Sequence, residues 1–139
     1  MGKSYLWLRV LLVMFCIGNI VLGLMALLAG GLAVKAAALF YGANVALNPQ
    51  INYIIRMLGA FVFTMGVLGG IAAYEPVKNK AVINVIILLL AIRVLQRLIF
   101  AKEIFETFGI SSSRNLSNII FFIAIALALF MLRPKSDNV

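Results

Sequence analysis

Between Arg9 and Lys35 the chain carries 25 consecutive residues without a formal charge, VLLVMFCIGNIVLGLMALLAGGLAV. A helix rising ~1.5 Å per residue needs about 20 apolar residues to cross a hydrocarbon layer ~30 Å thick, so this run alone is long enough. Of the 139 residues, 65% are hydrophobic and 12% charged, more apolar than a soluble domain of that size can hide in one core. Hydrocarbon offers no hydrogen-bond partner to a backbone, which leaves helices or closed barrels. No ten-residue alternating segments suggest a barrel. The class implied is an all-α integral membrane protein.

The first span is expected over about Tyr5 to Ala29. A signal peptide competes, because Lys3 and Arg9 precede the apolar run, but the run exceeds the usual ~7 to 15 residue apolar region. The second span is expected over Ile51 to Tyr74, behind Asn48-Pro49, a helix-start signal, and before Glu75-Pro76, where proline ends the helix. A third runs from about Ala81 to Ala101 after the polar linker Val77-Lys78-Asn79-Lys80. A fourth covers Leu116 to Leu132, after Ser111-Ser112-Ser113-Arg114-Asn115 and before Arg133-Pro134-Lys135. Residues 30–50 are too long for a tight turn. Lys35 and Gly30-Gly31 cut their apolar length, so a short interfacial helix over about Leu32 to Ala46 is expected rather than a fifth crossing. The whole is a single transmembrane four-helix bundle over residues 1–139, with no internal repeat and no hydrophilic module at either end.

Twelve Lys and Arg against four Asp and Glu give a formal charge of +8. In so apolar a chain this excess reports topology and headgroup attraction, and no nucleic-acid partner is expected. Lys3, Arg9, Lys78, Lys80, Arg133 and Lys135 fall on one side, against Lys35, Lys102 and Arg114 on the other. Both termini should therefore face the cytoplasm. Histidine is absent and Cys16 is the single cysteine, which excludes imidazole catalysis, His-rich metal sites and internal disulfides.

An arginine at the centre of a span costs roughly 2.5 to 3.5 kcal/mol, so each one needs a reason. Arg93, Gln96 and Arg97 are spaced i, i+3, i+4, on one face of the third helix. Counting back from Ala101, Arg97 lies about 6 Å and Arg93 about 12 Å below the outer boundary, and Arg56 about 8 Å below it on the second helix. If those two helices are neighbours the three arginines converge. Glu103 and Glu106 follow at the outer end, and an Arg/Gln/Glu network is geometrically available if the helix continues past Ala101. Three readings stay open. The arginines snorkel or pair with a glutamate structurally; Arg56, Arg93 and Arg97 form a site for a lipid phosphate, a carboxylate or an acidic partner; or the glutamates relay protons, although no acid lies near the midplane to continue a path.

Gly66 and Gly70 make a GxxxG in the second span, with Gly59 and Gly69 nearby, read as close helix packing within the bundle ahead of dimerisation. Asn19, mid-span, is read as an interhelical hydrogen bond and Cys16 as a small buried hydrophobe. Trp7, Tyr41, Tyr53 and Tyr74 fall near span ends and fit aromatic anchoring. Phe121, Phe122 and Phe130 are read as facing lipid or partner, a surface suited alike to a lipid tail, a carotenoid or a quinone. No cofactor of the chain's own is expected.

The Pro49 loop followed by Tyr53-Ile54-Ile55-Arg56-Met57-Leu58-Gly59-Ala60, together with Arg93-Val94-Leu95-Gln96-Arg97, resembles the DoxX-like superfamily of small four-helix bacterial membrane proteins, in its uncharacterised branches. The resemblance covers about Leu6 to Leu132. It implies a four-helix bundle in a bacterial cytoplasmic membrane and no catalytic residue. The function expected first is a non-enzymatic accessory or structural subunit of a larger energy-converting complex, respiratory or photosynthetic, with other membrane subunits and phospholipids as partners. The alternative is a small transporter or binding protein for an anionic or amphiphilic ligand held by the arginine cluster.

Overall fold

The computed structural model describes residues 5–135, so Lys3, counted above among the basic residues of one side, lies outside the described residues. Six helices and no strand occur among the described residues: α1 (Leu6–Leu28), α2 (Gly30–Tyr41), α3 (Pro49–Tyr74), α4 (Lys80–Ile99), α5 (Ala101–Phe108) and α6 (Ser112–Leu132). Four of them, α1, α3, α4 and α6, are long and apolar enough to cross a membrane.

Local chemistry sets most of the boundaries. Asn48 accepts the Ile51 N–H through its side-chain oxygen at 2.8 Å, and Pro49, which has no N–H to leave unpaired, takes the first helical position of α3. The far end of α3 is closed by Asn79, whose amide donates to the Ile71 carbonyl at 3.3 Å and the Glu75 carbonyl at 3.0 Å. α6 starts four residues before the expected Leu116, because the Ser111 hydroxyl accepts the Arg114 N–H and caps the helix. α2 begins at Gly30 and stops before Ala43 instead of reaching Ala46. Gly42 enters the left-handed region, φ 71°, with its N–H on the Ala38 carbonyl at 3.0 Å. The third span ends at Ile99, and the residues beyond Phe100 form the separate helix α5, which no expectation from the sequence includes.

The four long helices alternate in direction. Arg9 near the start of α1 donates to the Tyr74 carbonyl at the end of α3, and Arg133 just past α6 donates to Asn84 near the start of α4 at 2.9 Å. One end of the molecule thus carries the Glu75–Asn79 connection. The other carries α2, α5 and the segments around them.

α1 and α3 meet backbone to backbone. A Cβ on Gly66 would stand 2.8 Å from the Ile20 nitrogen, one on Gly59 2.9 Å from the Leu27 nitrogen, and one on Gly23 2.6 Å from the Phe63 nitrogen. Gly69 and Gly70 extend the seam against Phe15 and Cys16. The GxxxG is therefore spent inside the chain, where small residues let two helices gain dispersion contacts that lipid would otherwise supply. Asn19 differs from the expectation: its amide donates to the Phe15 carbonyl at 2.8 Å, one turn back on its own helix, and so makes no interhelical bond.

The core lies toward the Glu75 end, where Leu8 and Leu12 of α1, Ala72 and Ala73 of α3, Ile83, Ile86 and Leu90 of α4, and Leu129 of α6 are buried together. Phe122 carries this cluster toward the α2 end, with Tyr41 of α2 against it. α4 has no buried residue after Leu90.

Replacing Gly66 with Val should force the α1–α3 backbones apart and cost about 1 to 3 kcal/mol by overpacking. Gly18, where an added methyl group would meet no neighbouring atom within 4 Å, should accept Ala without loss. Thermal melts of the two variants in mild detergent, followed by circular dichroism, check the contrast; equal melting temperatures would contradict the seam.

Candidate functional site: an arginine pair on one phenylalanine ring beside an apolar groove

α4 brings Arg93 and Arg97 to the same aromatic ring. The guanidinium carbon of Arg93 stands 5.8 Å and that of Arg97 5.7 Å from the centroid of Phe122 on α6. Arg97 also lies 5.3 Å from the ring of Tyr41, which stacks on Phe122 at 6.5 Å between centroids. All three distances from guanidinium to ring fall within the ~6 Å over which a ring's negative face attracts a cation.

Arg97 is held further by Asn115. Its guanidinium donates to the Asn115 side-chain oxygen at 2.8 Å, and the Asn115 amide donates back to the Arg97 carbonyl at 3.2 Å, in the last turn of α4 where carbonyls lack helical partners. Asn115 is buried. A hydrogen bond to a charged group contributes about 1.5 to 3 kcal/mol and a partly desolvated cation–π contact about 1 to 2. Together these match the ~2.5 to 3.5 kcal/mol that an arginine costs within a span. Arg93 has only its share of the Phe122 ring. Among the described residues the ion pairs are Lys78–Glu75 at 3.1 Å and Lys102–Glu106 at 3.7 Å, so neither arginine is paired with a carboxylate.

The other expected members of the cluster lie elsewhere. Glu103 and Glu106 belong to α5, beyond the break at Phe100, so the face they would have extended is interrupted; Glu106 pairs with Lys102. Gln96 is exposed and takes no part in the contacts at Phe122. Arg56 is exposed on α3, which packs chiefly along α1 rather than α4. At about 100° per residue it stands about 160° around α3 from Ala72, which faces the common core. The second and third spans do meet, but in the core at the Glu75 end, through Ala72 and Ala73 of α3, whereas Arg56 lies in the first turns of α3 at the opposite end.

Phe122 is buried, not turned toward lipid as expected, and Tyr41 is half-buried against it. Asn115, which by composition belongs to the polar lead-in of the last span, is instead a member of the site. Its spacing of seven from Phe122, two turns on one face, is the sequence signal that points to it. The side-chain amide nitrogen of Asn118 is buried without a hydrogen-bond partner, and nothing in the sequence singles that residue out.

α4 and α6 leave an apolar groove of about 400 Å³ between Ile87, Ala91, Val94 and Leu95 on one side and Ile123, Ala126, Leu127 and Phe130 on the other. Going round α4 from Leu90, these residues lie on the positive side, Val94 at about 40° and Ala91 at about 100°. Going round α6 from Phe122, Ala126 is at about 40° and Ile123 at about 100°. Arg93, about −60° from Leu90, and Asn118, about −40° from Phe122, lie on the opposite flank. The helix pair therefore offers two unlike flanks, one apolar and one bearing amide and guanidinium donors.

The chain matches no family model, no curated protein and no solved structure.

Replacing Asn115 with Leu should cost about 1.5 to 3 kcal/mol, because it strands the Arg97 guanidinium and the carbonyl beneath it. Adding Arg97→Met should recover part of that loss, since two apolar groups need no pairing. Chemical denaturation of the wild type, both single variants and the double variant in detergent measures the coupling; strictly additive losses would mean that the two residues do not depend on each other.

Proposed function

We propose that this chain is a small integral membrane protein that acts, without catalysis of its own, as an accessory subunit of a larger membrane complex. The observation that carries the reading is the groove between α4 and α6. It is lined by eight apolar residues at depths where hydrocarbon would lie, with Ala91 and Ala126 small enough to admit a neighbouring helix. The occupant it suits is an apolar transmembrane helix of a partner, because the eight residues lining the groove are all apolar and the Arg133 guanidinium over Phe130 stands only at its Glu75 end. The resemblance to DoxX-like proteins in Tyr53–Ala60 and Arg93–Arg97 belongs to this proposal, as does the bacterial cytoplasmic membrane. The energy-converting complexes suggested by the sequence are the first in which to look for the chain.

Orientation follows from charge. Arg9, Lys78, Lys80, Arg133 and Lys135 cluster at the Glu75 end, against Lys35, Lys102 and Arg114 at the α2 end, and the basic excess favours the cytoplasmic side for the Glu75 end and both termini. A protease-cleavable tag on either terminus should be cut in inside-out membrane vesicles and protected in right-side-out ones. The reverse pattern would turn the molecule over.

Solubilised from native membranes in mild detergent, the wild-type chain should co-migrate with a larger particle on native gels. Ala126→Phe, which fills the groove, should release it while leaving its own melting temperature within a few degrees of wild type. A chain that migrates alone in both forms, or a variant that stays in the particle, would overturn the subunit reading.

A further inference from the structure

Two guanidinium groups one helical turn apart share the ring of Phe122, and no carboxylate among the described residues neutralises either. In a helix apolar enough to cross a membrane, two like charges so placed repel each other with little solvent to screen them. A third donor lies close along the chain. The buried amide nitrogen of Asn118, one turn from Phe122 on α6, has no acceptor, which is uncommon for a buried polar atom and calls for a partner. Arg93 and Asn118 occupy the same flank of the α4–α6 pair, away from the apolar groove. Arg97 is held in place beside them by Asn115, with one guanidinium nitrogen engaged there and further N–H groups remaining.

From this we propose that Arg93, Arg97 and Asn118 form a binding site for one oxyanion, a phosphate group, at the α2 end of the bundle. A phosphate supplies what the cluster lacks: negative charge between two guanidinium forks and several acceptor oxygens for donors that have none. Arginine's planar fork suits phosphate better than a point cation such as lysine's ammonium would. Arg97 and Arg93 lie about 3 and 9 Å along α4 from Ile99, within the reach of arginine side chains toward a headgroup layer. The exposed ring of Phe121, about 60° around α6 from Asn118 on the same flank, gives an attached acyl chain an apolar surface to follow. The phosphate is therefore carried by an anionic lipid. This site lies apart from the groove and holds whether or not a partner helix occupies that groove.

The test uses the full chain purified in a neutral detergent and delipidated. Its melting temperature and its retained lipid, the latter by native mass spectrometry, are measured with phosphatidylglycerol, with phosphatidylcholine and with inorganic phosphate. Phosphatidylglycerol should raise the melting temperature by several degrees more than phosphatidylcholine and leave one molecule bound per chain. Arg93→Gln should remove that difference and the retained lipid, and Asn118→Leu should weaken binding several-fold. Arg56→Gln, on the far side of α3, should leave both readouts at wild-type values. Equal protection by inorganic phosphate would keep the oxyanion site but assign it to the free anion. Equal protection by phosphatidylcholine, or an Arg93→Gln chain that still retains one phosphatidylglycerol, would overturn the proposal.

Discussion

Lipid tails are as apolar as leucine, so helices in a bilayer gain nothing by hiding apolar side chains from their surroundings and must associate through shape. In this chain the closest shape match lies between α1 and α3, where Gly23 on one helix and Gly59 and Gly66 on the other leave no room for a methyl group against the facing backbone, and Gly69 and Gly70 stand close to the Phe15 and Cys16 side chains. α4 and α6 contain no glycine at all, so side chains hold their backbones apart. The groove between them follows directly. A fold that places its small residues on one helix pair leaves the other pair with unfilled surface, and that surface is where a further apolar element can be accommodated.

The arginines sharpen the same asymmetry. Phe122 is the point where the apolar core of the Glu75 end gives way to polar contacts at the α2 end, and both guanidinium groups rest on it. Arg97 is compensated by Asn115 and Tyr41, so it behaves as a structural cation that ties α4 to α6 and to α2. Arg93 has the ring and nothing more, so of these two residues, four apart on one helix, one is anchored by the fold and the other has donors left without a partner. Sequence spacing alone puts them on one face and cannot tell them apart, because what distinguishes them is Asn115, 18 residues beyond Arg97.

Four apolar stretches and the two proline-marked ends of α3 are legible in the sequence because each rests on local chemistry: length against hydrocarbon thickness, and a capping Asn48 before Pro49. The glycine seam is legible as close packing, though not which helix it meets. The start of α6 is hidden because Ser111 to Asn115 look like a linker by composition, whereas a serine hydroxyl followed three residues later by a free N–H is also a helix cap. The reach of Glu103 and Glu106 toward the arginines fails for a different reason: α4 breaks at Phe100, and no proline or glycine marks that position. For Asn19 a mid-span position suggests a neighbouring helix, yet a carbonyl one turn back on its own helix is available to it. These three misses each concern a polar group whose partner depends on tertiary placement or on a competing local acceptor.

The two ends of the molecule are held together by different forces. At the Glu75 end a short connection draws α3 and α4 together, and fully buried leucines and isoleucines fill the space between the helices. At the α2 end the connections are long, and directed bonds replace bulk packing: the Arg114 guanidinium on the Leu39 carbonyl at 2.6 Å, the Asn44 N–H on the Phe108 carbonyl at 2.7 Å, and the paired bonds of Arg97 and Asn115. The first of these places a cation at the C-terminal turn of α2, where the helix dipole favours it. Few buried apolar contacts and several polar ones are the marks of a region with lower local stability than the core. A phosphate held by Arg93, Arg97 and Asn118, as proposed, would add its interactions where hydrocarbon packing contributes least, and so act on the relative placement of α4 and α6 while the glycine-sealed α1–α3 pair stays as it is.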